Sequence, residues 1–200
     1  MKKTIMIGMT LLLLVLNASC ADPRNSNGAG IPVFMAEKEL LDRTEALEQG
    51  ANRASCTGDG FEVRLFSDKE VYKSTDTIQI WATLEYNGDE DVVTIWHGYP
   101  CMGFSLTDGK DFNVDGVVLT VLTSTEIEKG NVYRFYYQKS GAWSADDPDA
   151  DFWEDFYKEK DLVLPEGEYT VTVRGDFSLT EEPFDSQSGL LCELKIKVEQ

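Results

Sequence analysis

The chain has 200 residues, 18 of them basic and 36 acidic, giving a formal net charge of −18 at pH 7. That length suffices to bury a real core within one domain. So acidic a surface repels phosphate backbones and anionic lipid headgroups, which argues against nucleic acid as a partner. Solubility accounts for the charge in the simplest way; a cationic partner or divalent cations are the sharper readings.

At the start, Lys2 and Lys3 precede a nearly unbroken apolar run from Ile5 to Leu16, followed by Asn17, Ala18, Ser19 and Cys20. A basic start, a short apolar segment and small residues before a cut mark a secretory signal peptide. The run falls short of the ~20 residues that span a bilayer, which disfavours an uncleaved anchor. Ala18, Ser19 and Cys20 resemble the end of a bacterial lipoprotein signal, in which two small residues precede a cysteine that is acylated and becomes the mature N-terminus. Asn17 departs from that pattern, because the family prefers Leu there and Leu16 sits one place early. The resemblance implies removal of residues 1–19, a fatty-acyl anchor at Cys20, and a location outside the cytoplasm at the cell membrane or outer envelope.

Residues 20–59 read as a tether. Ala21 to Gly30 lack apolar periodicity, as a flexible spacer does. Ala36 to Leu41 favour a short helix that Gly50 would end, with Leu40 and Leu47 on one face. The folded domain is expected over residues 60–200.

Strands dominate from there. Phe61, Val63 and Leu65 alternate with Glu62 and Arg64, and Ile78, Ile80, Ala82, Leu84 and Tyr86 alternate with Gln79, Trp81, Thr83 and Glu85. This period of two is that of half-buried strands. Asn87-Gly88 starts a turn, Val92 to Trp96 returns as a third strand, and Phe104 with Leu106 makes a fourth. Val117 to Leu122 and Val132 to Gln138 follow as the fifth and sixth. Between Ser140 and Leu162 the pattern breaks into an acidic, turn-rich insertion, where Phe152 and Phe156 suggest one or two helical turns capped by Asp151. Alternation resumes at Tyr169, Val171 and Val173 and again at Cys192, Leu194, Ile196 and Val198.

Many short strands separated by turns, without long helices between them, predict an all-β fold: an antiparallel β-sandwich with a short helical insertion. Leu164-Pro165-Glu166-Gly167-Glu168-Tyr169 is a tight turn into a strand led by Tyr, the position of a tyrosine corner in immunoglobulin-like folds. With Tyr72 and Asp76-Thr77-Ile78-Gln79-Ile80, this turn resembles the immunoglobulin-like domains of bacterial envelope lipoproteins, including intracellular-proteinase-inhibitor-like domains. The likeness covers about Phe61 to Val198. It implies an immunoglobulin-like sandwich and permits proteinase inhibition, although no reactive-loop motif is present.

Besides Cys20 the chain has Cys56, Cys101 and Cys192. Outside the cytoplasm two of these should pair and one be left over. If the first and last strands of the sandwich run the same way, Cys56 and Cys192 share one end and Cys101 sits at the other. That favours Cys56–Cys192 and leaves the two pairings through Cys101 as alternatives. The leftover thiol reads as inert, since no His or Lys accompanies it. His97 is the only histidine. A nucleophilic triad would have to use it, yet there is no nucleophile elbow, zinc-type pair or phosphate loop. It reads as an edge or loop residue at a strand end, and no enzyme is expected.

Asp147, Asp149 and Asp151 stand at alternate positions, as the first three ligands of a calcium loop do. Phe152 and Lys158 replace the Gly and Glu that an EF-hand needs. What remains is either a looser calcium site with Asp146 or Glu154, or a solvated acidic loop. Calcium is the one cofactor the sequence offers. Trp143, Phe152, Trp153, Phe156 and Tyr157 crowd the same insertion. Trp143 and Trp153 are a binding patch for a protein partner if exposed, and a satellite core if packed, the reading we favour. The expected function is binding or envelope structure, with inhibition of an extracytoplasmic protease as the alternative.

Overall fold

The structure is a computed structural model and describes residues 48–182 and 188–200. The expected signal segment, the expected acylation site Cys20 and the expected tether up to residue 47 lie outside the described residues.

The described chain folds as an all-β sandwich with a short helix. One sheet has four strands: β1 (Asn52–Gly58), β2 (Phe61–Ser67), β4 (Ile80–Tyr86) and β8 (Val132–Tyr136), in the order β1-β2-β4-β8. The other runs β3 (Val71–Lys73), β10 (Leu191–Glu199), β9 (Gly167–Ser178), β5 (Val92–Thr107) and β6 (Asn113–Asp115). Its remaining strand, β7 (Leu119–Glu128), pairs with the first half of β5 on the side that β6 takes in the second half. The helix, α1 (Ala150–Lys158), lies in the insertion ahead of β9.

Period-two patterning builds the core. Phe61, Val63 and Leu65 of β2 face Tyr169, Val171 and Val173 of β9 and Cys192, Leu194, Ile196 and Val198 of β10, all buried in one cluster. Each such apolar side chain contributes roughly 1.5–3 kcal/mol on burial. The tyrosine corner is present: Tyr169 donates its hydroxyl proton to Pro165 O at 3.0 Å. This bond fixes the turn into β9 and lets the ring close one end of the core.

Five expectations need correction. The sandwich starts with β1 at Asn52, ahead of the boundary expected at residue 60. Of the alternate residues that β1 turns inward, Ala54 and Cys56 are small, which hid the strand's apolar side. Arg134 Nε also donates to Glu48 Oε1 at 3.1 Å, tying the residues ahead of β1 to the first sheet. Secondly, the third and fourth strands are one 16-residue strand, β5. Gly98 and Pro100 punctuate it without ending it, because the register shifts between His97 and Met102 absorb them as a bulge. Thirdly, β7 continues to Glu128 instead of ending at Leu122. Fourthly, β3 and β10 pair in parallel, so the sandwich is not wholly antiparallel. Finally, Asp149 and not Asp151 precedes the helix, without a side-chain capping bond, and Asp151 lies in the first turn.

Candidate functional site

Cys56 and Cys192 form a disulfide with a Cα–Cα distance of 5.6 Å, joining the edge strand of one sheet to an inner strand of the other. The pairing is the favoured one, but its geometry differs from the reasoning that favoured it. Cys56 lies toward the end of β1 and Cys192 at the start of β10. Asn52 Nδ2 donates to Lys195 O at 2.9 Å, so the two strands run in opposite directions. Cys192 Sγ also lies 3.4 Å from Val63 O, which seats the bridge in the core.

Neither nucleophile candidate is chemically available. Cys101 is a free, buried thiol in β5, and burial pushes its pKa up to about 12. A thiolate, the reactive form, is therefore scarce at neutral pH. His97 is not the edge or loop residue its position suggested; it is 2% exposed within β5. Its Nδ1 bonds Gly98 O, and because a carbonyl only accepts, the proton sits on Nδ1. Nε2 then accepts from Thr125 Oγ1 at 3.0 Å. Desolvation lowers its pKa, keeping the ring neutral.

The aspartates of the insertion are exposed or line a turn. Asp147 Oδ2 accepts from the Ser144 N–H at 2.9 Å, while Asp149 and Asp151 occupy the helix start. Among the described residues no three His, Cys, Asp or Glu side chains come together as a metal site would require. The paired tryptophans separate. Trp153 stacks on Phe112 at 5.4 Å, and Phe112 also meets Phe156 at 5.6 Å and Tyr169 at 5.4 Å. Trp153 thus packs against the main core and pins α1 to it beside the tyrosine corner. Lys139 reinforces it, donating Nζ to Phe156 O at 2.6 Å and lying 4.6 Å over the Phe156 ring; desolvation lowers its pKa. Trp143, in contrast, is 37% exposed.

Sequence reasoning missed the concavity. On the open side of the sandwich, the bulge of β5, the start of β7 and the edge of β8 enclose an apolar cleft of about 340 Å³. Tyr99, Pro100 and Phe104 form one wall, Val117, Val118 and Leu119 a second, and Phe135 and Tyr136 a third. Such a volume lies at the lower end of the ligand-pocket range. The bare backbone of Gly98 makes the close approach possible: a Cβ there would fall 2.6 Å from Leu119 O. Next to the cleft, Val117, Leu119, Val121 and Leu122 remain exposed. The run Val117–Leu122 carried a signal for this. Its lack of alternation reads as a strand buried on both faces, whereas an edge position leaves the same run solvated.

No protein-family model matches the chain, and no curated protein sequence matches it. The fold and site define a disulfide-tied all-β sandwich with an apolar cleft beside an edge strand.

Proposed function

We propose that this chain is a lipid-anchored extracytoplasmic protein, acylated at Cys20, whose immunoglobulin-like sandwich is a binding module held off the membrane by the segment after Cys20. The Cys56–Cys192 disulfide carries the reading, since disulfides persist in oxidising compartments and are rare in the cytosol. It joins two independent sequence features, the apolar Ile5–Leu16 run and the Ala18-Ser19-Cys20 cut. Binding is favoured over catalysis because His97 is buried in its neutral form and Cys101 is buried with a raised pKa. The cleft offers the apolar surface a binding module uses.

Membrane fractionation of full-length protein, with labelled palmitate added to the cells, tests the anchor. The wild type is expected in the membrane fraction carrying label, and Cys20→Ala unlabelled. Equal labelling and retention of the Cys20→Ala protein would overturn the reading.

A further inference from the structure

We propose that β7 is a docking edge for an extended segment of a protein partner that is basic over its N-terminal half and apolar over its C-terminal half. The partner would add a strand antiparallel to β7. This deepens the reading of the domain as a binding module and does not depend on the lipid anchor.

Three observations converge on that occupant. Firstly, β7 pairs with β5 on one side only among the described residues. Tyr133 Oη accepts from the Glu128 N–H at 3.0 Å, which directs that N–H away from β5. Antiparallel alternation then turns the N–H and C=O groups of Ser124 and Glu126 outward as well. Tyr133 caps one end of this edge and the cleft opens at the other. An open row of backbone donors and acceptors is a template for strand addition.

Secondly, the strand is divided along its length. Leu119 is 57% and Val121 73% exposed at its start, beside the apolar cleft. At its other end stand the carboxylates of Glu126 and Glu128. Among the described residues neither pairs with a Lys or Arg; Glu128 Oε2 accepts only from Asn131 Nδ2 at 2.7 Å. A strand running opposite to β7 meets the two acids first and the apolar end afterwards, which sets the order of its residues.

Thirdly, a second copy of this chain does not complement the edge. In a symmetric antiparallel pair centred on Ser124, Glu126 would face Leu122 of the other copy. Its carboxylate would be desolvated against an apolar side chain, a costly arrangement. The net charge of −18 on each copy adds repulsion.

Fluorescence anisotropy with labelled synthetic peptides and the full-length protein in detergent tests this. The probe peptide alternates Lys with Thr over its first half and Val with Thr over its second. It is expected to bind. Its sequence-reversed counterpart, and a version N-methylated at alternate backbone nitrogens along the whole peptide, should each bind about tenfold or more weakly. Glu126→Gln/Glu128→Gln should weaken the probe and flatten its salt dependence. No binding, or equal binding of all three peptides, overturns the proposal; the latter outcome is general attraction to an acidic surface. Because the anchor is tested separately by fractionation, a negative result here leaves the Cys20 reading standing.

Discussion

Replacing both bridged cysteines, as Cys56→Ala/Cys192→Ala, isolates what the inter-sheet crosslink contributes. The bridge closes a loop with a sequence separation of 136 residues. In the chain-entropy treatment the stabilisation grows as a constant plus 1.5R times the logarithm of that length, which comes to about 5 kcal/mol at 25 °C. The gain arises in the unfolded chain, which the bridge keeps compact. A domain of this kind has roughly 5–15 kcal/mol in all, so the double variant should stand close to its folding threshold. Urea unfolding followed by tryptophan fluorescence should show a loss of about 4–5 kcal/mol and a steeper denaturant slope, as the unfolded state expands. On heating, the midpoint should fall by roughly 10–20 °C. Reductant should carry the wild type close to the curve of the double variant and leave the double variant unmoved, and it should shift Cys101→Ala by the same amount as the wild type. A loss below about 1 kcal/mol would refute the entropic account. So would a wild type indifferent to reductant at every urea concentration.

Two further outcomes follow from single groups. Tyr169→Phe removes the hydroxyl that donates to Pro165 O and keeps the ring; urea titration should give a loss of about 1 kcal/mol, and no loss would deny the corner its role. His97 is neutral when folded, with a pKa below its ordinary value of 6.5 because of desolvation. The unfolded state therefore binds its proton first as pH falls. The contribution of His97 to stability is complete above about pH 6.5 and declines on acidification until the folded pKa is passed. His97→Gln should flatten the stability profile between about pH 5 and 7, and an unchanged slope there would contradict the burial argument.

What the sequence disclosed divides along physical lines. Strands with one large apolar residue at every second place, such as Tyr169–Val173 and Cys192–Val198, were legible because the alternation is local. The tyrosine corner was legible for the same reason: its bond spans four residues, from Tyr169 to Pro165. β1 was not, since small Ala54 and Cys56 take the inward places where large apolar residues would have revealed a strand. The continuity of β5 was hidden because Gly98 and Pro100 look like terminators until a neighbouring strand supplies the bulge. His97 shows the harder limit. Its burial depends on Thr125, 28 residues away, and nothing near it in the chain signals that partner. The cleft is a juxtaposition of the same kind, assembled from β5, β7 and β8. Three cysteines besides Cys20 leave few pairings, so Cys56–Cys192 is favoured even on a parallel strand direction that the structure reverses.

β10 lies between β3 and β9 and is bonded to β1 through Cys192. The pairing of β3 and the crosslink both wait for the segment Leu191–Glu199. A chain emerging N-terminus first, from a ribosome or a translocation channel, can form the hairpin of β1 and β2 early. It cannot close the sandwich until Glu199 is free, because the partner of β3 and of β1 has not yet arrived. Closure of this sandwich therefore couples the two ends of the described domain, and its slowest contacts are those of greatest sequence separation.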